Sequence, residues 1–388
     1  MGRLRFGMIG GGEGAFIGAA HRTAAAIAGN CELVAGALSS EPERAKRSGA
    51  AIGLSPDRAY GSYCEMLARE RELPADARIE FVAIVTPNHV HAPAAIAAME
   101  GGFHVLTDKP VADSLEAARA MAEAAARTDR LLGITHTYTG YPLVKEARAL
   151  VAGGTLGSVK RVAVSYTQDW LSHEQPGKQA AWRTDPAQSG EAGAFGDIGT
   201  HAFSLVEYIT GERVARLAAE LRAVVPGRKL DDDGSAMFRL ASGAHGLLTA
   251  SQVCTGDINA LAISIWCDEA GLHWKQEEPN TLLLKRQNEP AEILTAGINR
   301  PYLANEAIAA ARLPAGHPEG YLEAFANNYR AFADDVRAGK QSSADPGYAT
   351  IADGLSAMRF VRAARLSSES DAKWIDLASL GGTEGDTA

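Results

Sequence analysis

The sequence predicts a doubly wound α/β domain followed by an α+β domain with a large, open, mixed and mainly antiparallel β-sheet. A strand, a glycine-dense turn and an Ala-rich helix open the chain within residues 4–28. Apolar strand-like runs then alternate with helix-like segments, which is typical of a parallel sheet covered on both faces. Closely spaced strand-like runs follow, and they favour antiparallel pairing because parallel strands need long crossovers.

Composition predicts two domains, residues 1–137 and 138–388, because 388 residues exceed one ordinary domain. A net charge of −9 without a basic run argues against a nucleic-acid partner.

The four cysteines lack CxxC spacing, so we expect a reducing compartment and no metal site. No run is apolar enough to span a membrane, and a strand begins too early for a signal peptide, so we expect no membrane partner and a cytoplasmic location. The tail from Gly381 to Ala388 is expected to be disordered.

The first turn indicates a Rossmann dinucleotide-binding unit. Gly10 and Gly12 occupy the first two glycine positions, and Gly18 is the third, which implies a longer loop than usual. Glycines let the backbone approach a pyrophosphate at the helix N-terminus. A glycine-rich surface turn is the alternative, but the order of strand, loop and helix favours the binding loop. We therefore predict cofactor contacts at Gly10, Gly12, Phe16 and Ile17.

The end of the second strand leaves the choice between NAD and NADP open. An NAD-binding fold usually has an acidic residue here that binds the ribose hydroxyls, whereas this sequence has Ser39, with Arg44 nearby. Without the acid nothing repels a ribose 2′-phosphate, and basic side chains are able to bind one. The same charges also suit a solvated helix face. Ser39 and Arg44 are predicted cofactor contacts.

Two further strands end in polar motifs. The apolar run Phe81–Val85 and the strand that begins at Phe103 are both followed by such residues. Ligands bind at the carboxyl ends of parallel strands. We therefore predict that the following residues line the cofactor crevice: Thr86, Pro87, Asn88, His91, Asp108 and Lys109.

A third motif opens an apolar helix-like run in the middle of the chain. Asp197 and His201 are four residues apart, so an α-helix places carboxylate and imidazole on one face. A carboxylate that fixes an imidazole suits proton transfer near neutral pH. In isolation the motif also fits a helix cap followed by a surface residue.

The chain between the long strand and Asp197 is rich in aromatic and hydrogen-bonding residues, which suits a sugar. Tyr138 and Gln168 are predicted substrate contacts, while Trp170 fits either the site or the core. His317 precedes a late helix and fits either a substrate contact or an ordinary loop histidine.

Taken in order, these motifs resemble those of the Gfo/Idh/MocA oxidoreductases, which include glucose–fructose oxidoreductase and inositol dehydrogenase. The resemblance rests on four features that span nearly the whole chain: the glycine loop with His21, Thr86-Pro87-Asn88 with His91, Asp108-Lys109-Pro110, and Asp197 with His201. It implies that Lys109 is the catalytic lysine of the family's Glu-Lys-Pro motif, although Asp108 replaces the glutamate. It also implies that Asp197 and His201 form the family's Asp-x-x-x-His motif. The segment with Trp182 and Arg183 is similar to sugar dehydrogenases near levoglucosan and inositol dehydrogenases, and both residues are predicted cofactor contacts.

The resulting hypothesis is an NAD(P)-dependent oxidoreductase that oxidises a secondary hydroxyl of a cyclic sugar, anhydrosugar or polyol to a ketone. His201 is the predicted acid/base, Asp197 orients it, and Lys109 stabilises the developing alkoxide. These three residues are also predicted to contact the substrate, together with Tyr138, Gln168 and His317.

Three alternatives remain: an NADPH-dependent ketone or imine reductase, an NAD-dependent glycosidase that works through transient oxidation, and a non-catalytic cofactor-binding sensor. Retention of lysine, aspartate and histidine together argues against the sensor. An exposed open sheet commonly pairs with another subunit, so a homodimer or homotetramer is expected.

Overall fold

The computed structural model describes residues 2–343 and 345–381. The predicted disordered tail lies, from residue 382 on, outside the described residues. The chain forms two compact units. Of the described residues, the first unit contains 2–136 together with 325–355, and the second contains 137–324 and 356–381. Residues 325–355 thus belong to the first unit although they follow most of the second in sequence.

The strands are β1 (Leu4–Gly10), β2 (Cys31–Ala37), β3 (Phe81–Val85), β4 (His104–Thr107), β5 (Leu132–Ile134), β6 (Val159–Thr167), β7 (Val214–Arg222), β8 (Asp233–Leu240), β9 (His245–Ser251), β10 (Ala260–Cys267), β11 (Ala270–Lys275), β12 (Thr281–Arg286), β13 (Glu292–Thr295), β14 (Ala349–Thr350) and β15 (Ile375–Asp376). The α-helices are α1 (Phe16–Ala28), α2 (Pro42–Ala51), α3 (Tyr63–Glu72), α4 (His91–Glu100), α5 (Leu115–Thr128), α6 (Pro142–Ala152), α7 (Lys178–Arg183), α8 (Pro186–Ser189), α9 (Thr200–Thr210), α10 (Asn305–Ala310), α11 (Tyr321–Ala338) and α12 (Ile351–Glu369).

The first unit is built on a six-stranded sheet in the order β14-β5-β4-β3-β1-β2. Strands β1 to β5 are parallel, and β14 is antiparallel to β5. Every residue of β3 is buried, which explains its continuous apolar sequence. The strand order reverses between β1 and β3, and such a switch point is where open α/β sheets bind ligands. The predicted α/β domain is confirmed.

The second unit is built on a nine-stranded sheet in the order β13-β12-β11-β10-β6-β9-β8-β7-β15. Its described pairs are antiparallel except β6 with β9. One face packs on a hydrophobic core to which α6 and α9 contribute. Burial alternates along β8, so its other face is exposed. The predicted open, mainly antiparallel sheet is confirmed.

The segment before α9 is not the α-helix that the sequence predicts. Residues Phe195–Gly199 form a π-helical turn, and α9 begins at Thr200. Phe195 and Phe203 both stack on Phe360, with ring centroids 5.5 and 4.5 Å apart, which fixes the turn and the helix to one core. Short π-helical turns often occur at functional sites.

Among the described residues, no helix is long and apolar enough to cross a membrane.

Candidate active site

The glycine loop after β1 is so closely packed that Gly10, Gly12 and Gly18 have no room for side chains. A Cβ atom on Gly10 would lie 2.3 Å from the Val85 carbonyl oxygen, and one on Gly12 would lie 2.5 Å from that of Leu38. Gly18 lies inside the first turn of α1, and its Cβ would lie 2.1 Å from the Gly11 carbonyl oxygen. The loop therefore holds the helix N-terminus directly against the end of β1, the arrangement that a pyrophosphate requires.

The rest of this sheet edge has polar groups suited to a bound cofactor. Parallel register aligns Gly10 with Val85, and Ile84 with Thr107, so the ends of β1, β3 and β4 lie side by side. The hydroxyl oxygens of Thr86 and Thr107 are buried, and neither has a hydrogen-bond partner in the described part of the chain. No side chain caps α1, and Phe16 at its start is 75% exposed. These features fit a dinucleotide.

The end of β2 places Ser39 and Arg44 beside the glycine loop. The Ser39 hydroxyl accepts a hydrogen bond from the Glu41 amide at 3.2 Å. The Arg44 guanidinium donates to the Glu13 carbonyl oxygen at 2.8 Å and lies 3.9 Å from the Glu13 carboxylate. Arg44 thus already has an acidic neighbour, so it does not form an isolated basic pocket for a 2′-phosphate.

His91, the first residue of α4, is completely buried and connects two strand ends. Its Nδ1 lies 2.9 Å from the Pro110 carbonyl oxygen, and its Nε2 lies 2.9 Å from the Thr86 carbonyl oxygen. Burial lowers its pKa, and a neutral imidazole donates through one nitrogen only. The ring therefore positions the turn after Lys109 rather than facing open solvent.

Asp108 and Lys109 follow β4 at the same edge. The Asp108 carboxylate accepts hydrogen bonds from the Lys109 amide at 2.9 Å and from the Thr135 hydroxyl at 2.8 Å. Its Oδ2 lies 3.7 Å from Nε2 of His21. Burial raises the Asp108 pKa, but the neighbouring His21, Lys109 and Thr135 lower it by more, so the net shift is strongly downward. Asp108 is therefore an ionised carboxylate beside Lys109.

In the second unit, Asp197 lies in the π-helical turn and accepts two side-chain donors. Its Oδ2 accepts from Arg183 Nε at 3.1 Å and from Gln252 Nε2 at 2.9 Å. The Arg183 guanidinium also lies over the Trp182 ring, 4.2 Å from its centroid, and 5.7 Å from that of Trp170. The Arg183 guanidinium, which packs on these aromatic rings, thus holds the Asp197 carboxylate in place.

His201 is buried next to a cluster of tyrosines. Its ring meets the Tyr138 ring edge-on, with centroids 4.7 Å apart, and the Tyr166 ring at 6.2 Å. The two tyrosine hydroxyls are 2.5 Å apart, and Tyr166 donates to Asn259 Oδ1 at 2.6 Å. Burial raises the pKa of both phenols, so they remain protonated.

Asn259 connects this tyrosine cluster to the aromatic loop. Its Oδ1 also accepts from Gln168 Nε2 at 2.7 Å, and Trp170 Nε1 donates to Gln168 Oε1 at 3.0 Å. Tyr138, Gln168 and His201, all predicted substrate contacts, therefore belong to one connected group of side chains together with Asp197 and its donors.

Asp231 fixes the start of the turn that contains Asp197. Its carboxylate accepts hydrogen bonds from the Gly193 amide at 2.7 Å and from the Phe195 amide at 2.8 Å. Its carbonyl oxygen accepts from the Ala194 amide at 2.9 Å. Three successive amide groups are thus satisfied by one residue, 36 to 38 positions away along the chain.

Other predicted contacts have different surroundings. His317 lies on an exposed loop, and its Nδ1 lies 3.2 Å from the Pro314 carbonyl oxygen. Trp182 and Arg183, predicted as cofactor contacts, pack in the second unit around Asp197. No group of three or more metal-ligating side chains occurs among the described residues.

Sequence reasoning missed several residues that hold these groups in place: Tyr166, Asp231, Gln252 and Asn259. Tyr166 lies in the predicted strand β6, where alternation gave a signal for its inward direction. Asp231 lies in a run of three acidic residues, 231–233, and this run was a second signal. The single amides of Gln252 and Asn259 carried no such signal.

Two sequence profiles match the chain. The profile described as "Oxidoreductase family, NAD-binding Rossmann fold" matches residues 4–136. The profile of the GFO/IDH/MocA C-terminal domain matches residues 144–273.

Similar proteins include solved structures and a curated enzyme. An inositol dehydrogenase homolog from Azotobacter vinelandii, in complex with NADH and myo-inositol, is 32% identical with a TM-score of 0.89, covering 97% of this chain and 98% of that one. An oxidoreductase from Sinorhizobium meliloti is 42% identical with a TM-score of 0.87, covering 97% of this chain and 100% of that one. Levoglucosan dehydrogenase from Pseudarthrobacter phenanthrenivorans is 29% identical over 75% of this chain and 78% of its own length.

Proposed function

The chain belongs to the Gfo/Idh/MocA family of NAD-binding oxidoreductases, and from this premise we propose that it oxidises a secondary hydroxyl of a cyclic sugar, anhydrosugar or polyol to a ketone. The observation that carries the proposal is the group of side chains around Asp197 and His201. It combines a carboxylate held by Arg183, a buried imidazole and neutral tyrosines. Such a mixture of rings, hydroxyls and amides suits a polyhydroxylated ring.

The proposed roles follow from the chemistry of each side chain. His201 accepts the proton of the hydroxyl that is oxidised, because imidazole titrates near neutral pH. Asp197, with Arg183 as its partner, orients the acid/base and hydrogen-bonds a neighbouring hydroxyl. Lys109 stabilises the developing alkoxide through its positive charge. When bound, the nicotinamide supplies the hydride acceptor.

The cofactor proposal is NAD or NADP, held by the first unit. The tight glycine loop and the buried Thr86 and Thr107 hydroxyls support a dinucleotide at this edge. The Azotobacter neighbour binds NADH. The ion pair between Arg44 and Glu13 favours NAD, because a 2′-phosphate would approach the Glu13 carboxylate.

The substrate proposal is a cyclic compound with several hydroxyl groups. Two of the related proteins are named after inositol and levoglucosan, and both compounds are cyclic and have several hydroxyl groups. The connected Tyr138, Gln168 and Asn259 side chains support the same class in this chain. The reverse reaction, reduction of a ketone with NADPH, uses the same residues and stays the second candidate.

We also propose that the protein is a homodimer or homotetramer that pairs through the exposed face of the nine-stranded sheet. Met237 and Leu247 are directly opposite each other on β8 and β9, and they are 49% and 44% exposed. Trp266 on β10 is 37% exposed. Sedimentation equilibrium measures the mass, and a monomer would contradict this assignment.

A substrate panel tests the proposed function. Cyclic sugars, anhydrosugars and polyols, including myo-inositol and levoglucosan, are assayed with NAD and with NADP while the absorbance of the reduced cofactor is followed. We expect reduction of NAD with at least one member. If no member of the panel reduces the cofactor, but the protein cleaves glycosides or oxidises NADPH with ketones, one of the alternatives replaces the proposal.

A further inference from the structure

Three side chains of the first unit, those of Tyr329, His21 and Asp108, form a buried row. His21, on α1, is completely buried, and its Nδ1 lies 2.7 Å from the Tyr329 hydroxyl. Its Nε2 faces the Asp108 carboxylate at 3.7 Å and has no hydrogen-bond partner in the described ranges. The ring packs edge-on against Phe325, with centroids 4.5 Å apart, so it has little freedom to turn. The proposed reaction assigns no role to these side chains.

Tyr329 determines which nitrogen of His21 carries the proton toward Asp108. Burial raises the pKa of Tyr329 well above its usual value, so its hydroxyl keeps its hydrogen. When this hydroxyl donates to Nδ1 of His21, the proton of the neutral imidazole is on Nε2. When the ring is protonated, both nitrogens carry hydrogen. In both states an N–H faces the Asp108 carboxylate.

The alternative tautomer is unfavourable. With hydrogen on Nδ1 alone, the lone pair of Nε2 would face the negatively charged oxygen of Asp108. Two acceptors opposed in a buried region repel each other, because few solvent molecules screen them. The donor groups of the row therefore all point the same way: the Tyr329 hydroxyl donates to His21, and the His21 N–H faces the Asp108 carboxylate.

Asp108 transmits this arrangement to Lys109. One carboxylate oxygen, Oδ1, accepts from the Lys109 amide at 2.9 Å and from the Thr135 hydroxyl at 2.8 Å. The other oxygen, Oδ2, faces His21. The Asp108 amide donates to the Ile84 carbonyl oxygen at 2.9 Å, which anchors the residue to β3. A change in the charge of Asp108 is thus felt directly at the backbone of Lys109.

We propose that Tyr329 and His21 are positioning residues for the proposed reaction: they direct an N–H at Asp108 and thereby keep its carboxylate ionised and oriented beside Lys109. The inference rests on the proposed function only in the role that it gives to Lys109. Neither His21 nor Tyr329 acts on the substrate itself.

The proposal has a direct consequence for pH dependence. Burial raises the pKa of Asp108, and the nearby imidazole of His21 is the first of the groups that lower it again. When the N–H of His21 is removed, fewer groups offset the effect of burial, so the Asp108 pKa rises. The other titratable groups that face this carboxylate or its neighbours are His91, Lys109, Asp113, His136, Tyr329 and Asp353.

Two substitutions of His21 form a matched pair. In His21→Gln, the amide nitrogen takes the place of Nε2 and still donates toward Asp108, whereas His21→Asn keeps only a group at the position of Nδ1. We expect His21→Gln to retain kcat within about threefold and His21→Asn to lose about tenfold in the acid part of the pH range, since the N–H that faces the charged carboxylate is lost. The acid limb of the kcat profile of His21→Asn should move to higher pH, with little change in KM for NAD.

A measurement without substrate separates this inference from the proposed function. The carboxyl carbon of Asp108 is followed by NMR as a function of pH in the free protein, and Asp108→Asn assigns the signal. We expect the Asp108 pKa to be higher in His21→Asn than in the wild type and in His21→Gln. If the wild type oxidises no member of the panel but this shift appears, the proposed function fails and the arrangement of the row stands.

Tyr329→Phe, which removes one oxygen atom, gives the same comparison if His21→Asn does not fold. It should shift the acid limb and the Asp108 titration in the same direction, by a smaller amount than His21→Asn. Identical pH profiles and identical Asp108 titration in the wild type, Tyr329→Phe and the folded His21 variants would overturn the inference.

Discussion

Asp197 shows what a sequence pattern predicts, and what it does not predict, about a single residue. The four-residue spacing to His201 predicted a carboxylate on the same helix face as an imidazole. Its side-chain donors, however, are Arg183 and Gln252, one before it and one far after it in sequence. The donors arrive from α7 and from the end of β9, so only the tertiary fold brings them to the carboxylate. The pattern identified the candidate residue, but it contained no information on what holds that residue.

Arg183 is the residue through which this arrangement is most easily tested. Arg183→Lys keeps the positive charge but removes the Nε donor to Asp197 and the planar contact with the Trp182 ring. We expect kcat to fall about 10- to 100-fold, because a charge-assisted hydrogen bond is lost. Steady-state kinetics with the substrate identified by the panel measure the effect.

Arg222→Lys is the matched control for that substitution. Arg222 is exposed and pairs with Glu220 on the same strand, where an ion pair contributes little. Its kinetics should equal those of the wild type. Equal kinetics for Arg183→Lys and Arg222→Lys would mean that Asp197 does not depend on its arginine.

At the scale of elements, the turn Phe195–Gly199 departs from prediction for a physical reason. An amphipathic run predicts an α-helix, and α9 forms as expected from Thr200 on. The preceding residues widen into a π-helical turn because Asp231 holds the amides of Gly193 and Phe195 from outside. A contact from a distant loop thus overrides the local helical preference.

The acidic run Asp231–Asp233 shows the same limit. From sequence alone, three adjacent carboxylates suit a cation or a solvated loop. In the structure, Asp231 caps the π-helical turn, and Asp232 accepts from the amides of Val224 and Val225 at 2.6 and 3.0 Å. Both carboxylates satisfy backbone groups, so their function is to shape the chain around the candidate site.

Two glycines of this segment provide a test of the turn. A Cβ atom on Gly193 would lie 2.0 Å from the Asp231 carbonyl oxygen, whereas one on Gly196 would lie 3.6 Å from the Ala192 Cβ. Gly193→Ala should therefore lower the free energy of unfolding by about 2–4 kcal/mol through overpacking and loss of the cap. Gly196→Ala should change it by less than about 1 kcal/mol. Urea denaturation measures both, and equal stabilities would contradict the packing described for Gly193.

For the whole molecule, the alternation and spacing of strand and helix signals were enough to predict a parallel sheet in the first part of the chain and a mainly antiparallel sheet in the second. The strand-like runs at residues 217–225, 235–240, 246–253, 261–267 and 281–284 predict β7, β8, β9, β10 and β12 within a few residues. The Gfo/Idh/MocA family predicted from the ordered motifs is confirmed. The short strands β11 and β13 were missed, because four to six residues beside a tight turn carry little periodic signal. The late helix-like runs, about residues 319–337 and 349–365, fit packing on either domain, because helix patterns contain no information on the packing partner. The sequence therefore did not assign residues 325–355 to the first unit.

The stability of the first unit should depend on pH through its buried histidines. His104 Nδ1 accepts a hydrogen bond from the Leu131 amide at 2.9 Å, so this nitrogen is unprotonated. Burial and Arg130 lower the His104 pKa to about 4, and burial and Lys109 lower that of His136 to about 4. Since the folded pKa values lie below the unfolded value, the unfolded chain binds more protons, and stability falls as the pH drops from about 6.5 toward 4.

His104→Asn isolates one part of this dependence. Its amide oxygen is able to accept the Leu131 N–H but does not titrate. The decrease in the free energy of unfolding between pH 7 and pH 5, measured by urea denaturation at about 25 °C, should be smaller than in the wild type. An equal decrease would show that His104 contributes nothing to the acid sensitivity.

The proposed hydride transfer depends most directly on Lys109. The decisive measurement compares kcat for NAD reduction with the affinity for NADH, in the wild type and in Lys109→Ala, using the cyclic polyol that the panel identifies. The proposed role predicts that kcat falls by about three orders of magnitude, since the charge that stabilises the alkoxide is removed, while the Kd for NADH changes by less than about tenfold. A Lys109→Ala variant that turns over as fast as the wild type would contradict the account.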